Sequence, residues 1–379
     1  MALLDVAIVG AGPVGATVAA LCAREGLALE LFEARARFAS DARTLALSQG
    51  SRELLEQAGA WPAGATAIET IHISQKGGPG RTVISAAEQR VPALGYTVAF
   101  DSLSQALHAQ LERAGIPVRL GEACERIALD AGGADLAFAS GLEVRARLLV
   151  LADGGANARR IPGIAFREKD YGQVAVVGSV KTDRPHGARA YERFTPQGPV
   201  ALLPVGDRFA LILTTTASDA GRLVALDDAA FLAELQAHFG GRAGRFLEVG
   251  RRASFPLALR TVNVPIALRT AIIGNAAQAL HPIAGQGLNL GLRDAAALAA
   301  IVSGTPPASL GGAPMLDEYR RSRERDVARG VAFTDFLVSA FADTRFIPTW
   351  GRGLALAVLD TIPAARRALA GRMIHGAAR

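Results

Sequence analysis

Cysteine is scarce in this chain of 379 residues, which contains only Cys22 and Cys124. The two thiols lie far apart, and no other ligand-type side chain stands near either of them at metal-binding spacing. We therefore expect no structural metal site. The same scarcity fits a reducing compartment, in which both cysteines are expected to be small buried hydrophobic side chains.

Long apolar runs, a secretory leader and an aromatic-rich basic patch are also missing. No uninterrupted apolar run approaches about 18 residues, so we expect no segment to span a bilayer. The N-terminus lacks the charged region and the small-residue cleavage site of a secretory signal. The formal charge is +6, but no basic patch is interleaved with aromatic residues, so we expect no nucleic-acid binding.

Glycine, in contrast, is abundant, and its most informative cluster lies near the N-terminus. Residues 4–9 form an apolar β-type run, which leads into a predicted helix through Gly10, Gly12 and Gly15. The next predicted strand ends near Glu33. This order predicts a βαβ unit whose helix N-terminus and glycines accept a dinucleotide pyrophosphate, while the carboxylate accepts ribose hydroxyls. The carboxylate disfavours a 2′-phosphate, so FAD or NAD fits better than NADP.

Two later strands also end in candidate site residues. A predicted buried strand over 148–152 leads to Asp153-Gly154, and Arg160 follows. An ordinary strand-end turn and a functional loop both fit this pattern. A second strand, 269–273, leads to Gly274-Asn275 and then to a loop that begins a helix. That loop contains glycines whose backbone N–H groups can stabilise an anion; its candidate residues are Pro282, Gly285, Gly287, Leu288 and Asn289.

His281 is the one histidine in the third motif. It could serve as a metal ligand, as a proton-transferring group, or as a structural residue that lines the cofactor. No second histidine, cysteine or carboxylate stands at ligand spacing, so a metal role is not expected. A structural or cofactor-lining role is favoured, and His281 is kept as a weak catalytic candidate.

The middle of the chain differs from both flanks. Alternating segments between about 166 and 262 predict an antiparallel sheet with one solvated face. We therefore expect an α/β protein in which a Rossmann-like nucleotide-binding domain is interrupted by an inserted antiparallel-sheet domain and followed by a helical C-terminal part. The predicted ranges are 1–70, 96–165 and 265–313 for the first domain, 71–95 and 166–264 for the second, and 314–379 for the helical part.

The three motifs, in this order and at about these separations, resemble those of the class A FAD-dependent aromatic hydroxylases. "DARTLALSQGSRELLEQAGAW", "ETIHIS", "YERFTPQGPVALLPV" and "FPLAL" are most similar to the ubiquinone-biosynthesis hydroxylases, and within them to the subgroup that acts on 2-polyprenyl-6-methoxyphenol. The resemblance covers nearly the whole chain. It implies the class A flavoprotein monooxygenase fold, in which the nucleotide is FAD.

The resemblance also assigns residues. It places Gly10, Gly12, Gly15 and Glu33 at the FAD pyrophosphate and ribose, and Gln105 on a helix that faces FAD. Arg43 matches an arginine near the ribityl and phosphate groups. Asp153, Gly154 and Arg160 match a motif that FAD and NAD(P)H share, and the residues from Gly274 to Asn289 match the ribityl and isoalloxazine cradle. Arg43 and Arg160 also fit surface ion pairs, and Gln105 also fits a solvated helix position.

Two residues differ from the usual class pattern. Asn275 stands where the class usually has aspartate, although asparagine followed by "AAQ" is typical of the subgroup. Asn157 stands where the second motif usually has serine, which leaves that loop's contacts open. Whether the missing charge at position 275 changes FAD affinity is also open.

The implied activity is a monooxygenase cycle. NAD(P)H reduces FAD, molecular oxygen forms a flavin 4a-hydroperoxide, and the distal oxygen is transferred to the ring carbon para to the phenol hydroxyl. The implied product is 2-polyprenyl-6-methoxy-1,4-benzoquinol, and no catalytic side chain beyond the flavin is required. Alternatives are a related hydroxylase of another ring position or of a soluble aromatic, and a low-activity FAD-binding scaffold. The sequence does not predict the length of the prenyl chain, the choice between NADH and NADPH, or the oligomeric state.

The substrate is expected between the inserted sheet and the flavin. The candidate lining residues, each of which also fits simple sheet core, are Phe194, Pro199, Val200, Leu202, Pro204, Phe255 and Pro256. A polyprenyl phenol resides in a membrane, so we expect a cytoplasmic protein that reaches the inner face of the cell membrane as a peripheral protein, and other ubiquinone-biosynthesis proteins as partners. The segment 346–376 is an interfacial candidate, and a solvent-facing helix pair or a protein interface fits it equally.

Overall fold

The structure is a computed structural model that describes residues 3–23, 26–77, 81–281 and 285–342, together with residues 367, 370, 371 and 374. Its helices are α1 (Pro13–Cys22), α2 (Gln49–Gln57), α3 (Ala86–Gln89), α4 (Phe100–Arg113), α5 (Ala217–Ala225), α6 (Asp228–Phe239), α7 (Gln286–Ser303) and α8 (Ala313–Ala342). Its strands are β1 (Leu3–Val9), β2 (Leu29–Glu33), β3 (Thr44–Ser48), β4 (Thr66–Ile68), β5 (Thr70–Gln75), β6 (Arg81–Ser85), β7 (Gly95–Ala99), β8 (Val118–Leu120), β9 (Cys124–Asp130), β10 (Gly133–Phe138), β11 (Glu143–Leu151), β12 (Phe166–Thr182), β13 (Arg189–Thr195), β14 (Gly198–Val205), β15 (Arg208–Thr216), β16 (Phe246–Val249), β17 (Ala253–Val262), β18 (Ile266–Ala267), β19 (Thr270–Ile272) and β20 (Gln278–Ala279).

The first sheet has the order β18-β19-β11-β1-β2-β8, and β9 and β10 extend from β11. Strands β1, β2, β8, β11 and β19 run parallel. Such strands are buried on both faces, which explains their near-continuous apolar sequences. The three predicted motifs follow β1, β11 and β19, which are neighbours in the sheet. Because parallel strands end at the same edge, the three motif loops lie together.

Helices α1, α4 and α7 cover one face of this sheet. Helices α1, α4 and α7 bury their apolar positions against β1, β2 and β11 in one core that also includes Leu310 and Tyr319. A second core lies on the opposite face under β9 and β10, where the rings of Phe32 and Phe138 stack at 4.5 Å.

The second sheet has the order β20-β17-β12-β15-β14-β13-β5-β6, and β16 pairs with β12. Its pairs are antiparallel except β13 with β5, which run parallel. Helices α5 and α6 cover one face and enclose a core that contains Phe209, Phe231 and Phe239. The α/β fold with an inserted, largely antiparallel sheet is therefore confirmed. The exact domain boundaries remain predictions.

A three-stranded sheet, β3-β7-β4, connects the two large sheets. Helix α2 leaves β3 at Ser48, whose side chain accepts from the Ser51 backbone N–H and so caps the helix. The helix begins at Gln49, so Ser51 lies in its first turn. Within the described part of the chain, no helix combines the length and apolarity needed to cross a membrane. The interfacial candidate 346–376 lies almost entirely outside the described residues.

Candidate active site

The first motif forms a tight passage from β1 into α1. Gly10 has φ +108°, and a Cβ there would lie 2.6 Å from the Ala152 carbonyl carbon; a Cβ on Gly15 would lie 2.0 Å from the Gly10 oxygen. Gly12 is the N-cap of α1, has no side-chain cap, and a Cβ there would meet no atom within 4 Å. The loop therefore leaves free N–H groups and open space at a helix N-terminus, which fits a pyrophosphate.

Glu33 lies at the same loop, as the motif predicts. Its Oε2 accepts from the Ala11 backbone N–H at 3.2 Å, and its Oε1 accepts from the Arg35 N–H at 3.1 Å. The side chain of His108 approaches from α4, with Nε2 at 3.1 Å from the Ala11 oxygen, and its ring stacks on Phe38. His108 was not among the site residues predicted from the sequence. Its position one helical turn after Gln105 could have indicated that the two side chains lie on the same face of α4.

Gln105 and Arg43 lie at the surface of the site rather than within it. Gln105 is exposed on α4. Arg43 follows the loop after β2 and pairs with Asp41 at 2.6 Å, while its guanidinium also lies over the rings of Phe100 and Phe255. Arg43 therefore connects the first domain with the exposed edge of the second sheet. The ion pair expected as the alternative is present.

The second motif is stabilised from within. Asp153 accepts from the Gly155 N–H at 2.9 Å and from both the backbone N–H and the side-chain amide of Asn157 at 2.8 and 2.7 Å. Arg160 donates to the Asn157 side-chain oxygen at 3.0 Å and to the Cys124 carbonyl at 2.7 Å. Asn157 therefore bridges the aspartate and the arginine, which a serine is too short to do.

Arg160 anchors the second motif to the start of β9. Its guanidinium donates to the Cys124 and Glu125 carbonyl oxygens and makes no ion pair with the residues that the structure describes. The Asp153 carboxylate is occupied by its own loop, so its role at a ligand is to hold the exposed Gly154 backbone in place. Burial raises the pKa of the nearby Cys124 thiol to about 11, which keeps it protonated and inert.

A cluster of buried charges supports the third motif. The Asp294 carboxylate accepts from the Gly274 backbone N–H at 3.1 Å, from the Gln278 side-chain amide, and from Arg323 of α8 at 2.8 Å. Arg323 also donates to Asp326 at 2.7 Å. Burial raises the pKa of Asp294, and the Arg323 guanidinium opposes that rise. Gly274, at φ +58°, is thus held by α7 and, through the carboxylate, by α8.

Asn275 itself is exposed, and its side chain makes no hydrogen bond within the described ranges. Its backbone oxygen accepts from Arg260 at 3.2 Å, and the same guanidinium donates to the Gly154 oxygen. Arg260 stands on β17, so this side chain of the second sheet joins the second motif to the third. Sequence reasoning missed Arg260, because its partners are 106 and 15 residues away.

The loop after the third motif begins α7 through Gly285, which has φ +61° and supplies no side-chain cap. A Cβ on Gly285 would lie 2.9 Å from the Ala46 Cβ, whereas one on Gly287 would meet nothing within 4 Å. Leu288 packs against the first core. Pro282 lies outside the described residues. The uncapped N–H groups of α7 form a second donor set for an anion.

Asn289 is structural rather than directed at a ligand. Its side-chain oxygen accepts from the Ser48 N–H at 2.8 Å and from the Ser51 hydroxyl at 2.7 Å, and its amide donates to the Ala46 and Gly285 carbonyls at 2.9 and 2.6 Å. All its hydrogen-bonding groups are occupied. The side chain therefore positions the loop, and its predicted contribution to the flavin cradle stays a prediction.

His281 is buried at the end of the same loop. Its Nε2 lies 3.2 Å from the Gln173 side-chain oxygen on β12, and its ring meets Tyr171 edge-on. Burial lowers the pKa of His281 to about 4, so the ring is neutral at neutral pH. Among the residues that the structure describes, no group of three or more ligand-type side chains could hold a metal ion.

The candidate substrate residues divide between the two faces of the second sheet. Val200 and Leu202 lie in the core under α5 and α6, on the face opposite to Phe255, and their substrate-lining role stays a prediction. Alternation along paired strands places Pro204 and Pro256 on that helix-covered side as well. Phe194, Pro199 and Phe255 occupy the other face, which Arg43 approaches.

The residues therefore fit a bound FAD. The Gly10–Gly15 passage and Glu33 would hold the pyrophosphate and ribose, and the Gly274–Asn275 turn with the α7 N-terminus would hold the flavin end. Both helices lack side-chain caps, and Gly12 and Gly287 would each have open space where a Cβ would stand. The arrangement can bind an extended anionic dinucleotide along the edge where the three strands end.

Comparison with known proteins agrees with this geometry. The family model described as FAD binding domain matches residues 3–334. Ubiquinone hydroxylase UbiL of Rhodospirillum rubrum is 36% identical over 89% of this chain and 82% of its own length. The 3-demethoxyubiquinol 3-hydroxylase of Escherichia coli is 32% identical over 85% of this chain and 86% of its own. Klebsiella pneumoniae HpxO complexed with FAD and uric acid shares the fold, with a TM-score of 0.79 and 19% identity over 98% of this chain and 97% of its own. The chain therefore belongs to the class A FAD-dependent hydroxylase family of these ubiquinone hydroxylases, and it is itself a FAD-dependent hydroxylase.

Proposed function

We propose that this protein hydroxylates a polyprenylated phenol in ubiquinone biosynthesis, with NAD(P)H as transient reductant and molecular oxygen as co-substrate. The observation that carries the proposal is the 36% identity to a ubiquinone hydroxylase over 89% of the chain. The identity covers most of the chain, and the family match over residues 3–334 includes both the cofactor loops and the second sheet.

The favoured reaction converts 2-polyprenyl-6-methoxyphenol to 2-polyprenyl-6-methoxy-1,4-benzoquinol. It is supported by the segment Asn275–Gln278, typical of that subgroup, in which Gln278 donates to the buried Asp294. A second candidate is hydroxylation of another ring position. The name of the Escherichia coli relative, a 3-hydroxylase, favours that candidate.

The chain's own residues bind, orient and exclude water in this reaction. Bound FAD supplies the redox chemistry with NAD(P)H and oxygen. The N–H groups at the start of α7 would stabilise negative charge at the flavin end of a bound FAD. Asp294, Asn289 and Arg260 fix the loops that carry those groups. The apolar face of the second sheet covers the substrate and keeps water from the reacting atoms.

A membrane-surface location is part of the same proposal. A polyprenyl chain partitions into a bilayer, so the enzyme must take its substrate from that phase, and we propose peripheral contact at the inner face of the cell membrane. Other enzymes of the pathway are proposed partners for the same reason, since their products and substrates share that phase.

Product analysis tests the proposal. Purified FAD-loaded protein is mixed with NAD(P)H, oxygen and a short-chain 2-prenyl-6-methoxyphenol, and the ring position of the new hydroxyl is read by NMR. A para hydroxyl is expected; a hydroxyl elsewhere supports the second candidate. Oxygenation of small soluble phenols alone would overturn the proposal. Bound FAD that NAD(P)H cannot reduce would instead indicate a scaffold.

A further inference from the structure

Glu192 stands among apolar side chains on the face of the second sheet that is opposite to helices α5 and α6. Glu192 of β13 is paired with Ile73 of β5 and with Ala201 of β14, and Ala201 is paired with Ile212 of β15. Side chains of directly paired residues project from the same face of a sheet. Glu192 therefore lies in a row of apolar side chains, well inside the sheet rather than at its edge.

This row belongs to the side that the FAD-binding domain approaches. Ile212 is paired with Val177 of β12. Ala175 and Gln173 precede Val177 by two and four residues, so their side chains project from the same face. Ala175 is paired with Phe255, over which Arg43 lies, and Gln173 contacts His281 at the end of the flavin loop. Glu192 thus shares a face with groups that touch the first domain at two points.

The helix-covered side is ruled out for Glu192 by its neighbours in sequence. Tyr191 belongs to the core under α5 and α6. Arg193 projects from that same side and donates to Ser74 at 3.2 Å, so it does not neutralise Glu192. Alternation along β13 leaves the carboxylate on the opposite side.

The carboxylate has no compensating partner within the part of the chain that the structure describes. No hydrogen bond or ion pair to its oxygens is found there, and the residue is half-buried. Burial raises the pKa of Glu192 to about 7. A half-buried carboxylate without donors is costly, so an acid in this position is stabilised by a ligand that donates to it.

From this placement we infer that Glu192 accepts a hydrogen bond from the phenolic hydroxyl of the substrate and holds the ring against the flavin. The inference rests on the proposed function, which supplies a phenol. A phenol donates one O–H, and such a bond to a carboxylate is among the stronger hydrogen bonds in proteins. Phe194 and Pro199, on the same face, provide apolar contacts for the ring and its substituents.

The test compares two ligands that differ only in the donor. Dissociation constants for a short-chain 2-prenyl-6-methoxyphenol and for its O-methyl ether are measured on FAD-loaded protein by perturbation of the flavin absorbance. The wild type is expected to prefer the phenol by about tenfold or more. Glu192→Leu should lose that preference through weaker phenol binding, while ether binding stays within about threefold. Glu192→Gln, which keeps an uncharged acceptor, should be intermediate.

The control is Glu248→Gln, which alters an exposed carboxylate of β16 that pairs with Arg208; its preference should equal that of the wild type. FAD content and substrate-free reduction by NAD(P)H should be unchanged in all variants. An undiminished phenol preference in Glu192→Leu, or an equal loss of both ligands, would overturn the inference. If the wild type binds neither ligand, the proposed function fails instead.

Discussion

Asp294→Asn removes one charge from the buried cluster that joins the flavin loop to α8. Asp294 is 1% exposed and Arg323 5% exposed, and their atoms meet at 2.8 Å. The amide oxygen of asparagine can still accept two hydrogen bonds, but Arg323 loses its ionic partner on α7 and, among the described residues, keeps Asp326 at 2.7 Å. Breaking a buried pair by removing one partner costs about 3–5 kcal/mol, and the remaining partner places this variant near 3 kcal/mol.

Urea unfolding of the apoprotein, followed by circular dichroism, measures that loss. FAD titration of the folded variant should also show weaker binding, because the Gly274 N–H loses its charged acceptor. The matched control is Asp317→Asn on α8, whose carboxylate is 48% exposed and lies 3.3 Å from Arg320. Such surface pairs contribute about 1 kcal/mol or less. If Asp294→Asn costs no more than this control, the buried cluster does not stabilise the fold.

Three further variants test the cofactor loops. Gly12→Ala should change the free energy of unfolding by no more than about 0.5 kcal/mol, since its Cβ meets no protein atom within 4 Å, but it should weaken FAD binding at least about tenfold. The control Gly221→Ala, whose Cβ is equally unobstructed, should leave FAD binding unchanged. Equal FAD affinities in the two variants would refute this prediction. Because the pKa of His281 is lowered to about 4, only the unfolded chain binds that proton between pH 4 and 6.5, so stability falls as pH falls through this window by up to about 1.4 kcal/mol per unit. His281→Gln should flatten that slope in urea unfolding at pH 4.5 and 6.5, and an unchanged slope would contradict the assignment. Asn275→Asp should tighten FAD binding about two- to tenfold, since a charged acceptor forms the stronger bond; weaker binding in a fluorescence titration would contradict it.

The local parts of the site were predictable from sequence. Gly10, Gly12 and Gly15 lie within one strand–turn–helix unit, so their spacing alone indicates the local geometry. Alternation likewise predicted the antiparallel sheet between about 166 and 262. It could not predict which face of that sheet α5 and α6 cover, because helix packing is a long-range property, and so it did not show that Val200 and Leu202 lie in the core under these helices.

Long-range partners were not predictable in the same way. Asn289 looks like a cradle residue in sequence, but its partners Ser48 and Ser51 lie 241 and 238 residues away. Arg323 gives no sequence signal of its contact with Asp294, since the contact exists only after α8 docks on α7. Glu192 likewise becomes informative only when the sheet register places it among apolar side chains.

The central claim is that this chain inserts one atom of molecular oxygen into a polyprenylated phenol. The most direct measurement is the product mass after reaction of the FAD-loaded protein with NAD(P)H, a short-chain 2-prenyl-6-methoxyphenol and oxygen labelled with the heavy isotope. The account predicts a hydroxylated product that carries a single labelled oxygen atom. Consumption of NAD(P)H with hydrogen peroxide as the only oxygen product, and the phenol recovered unchanged, would contradict it.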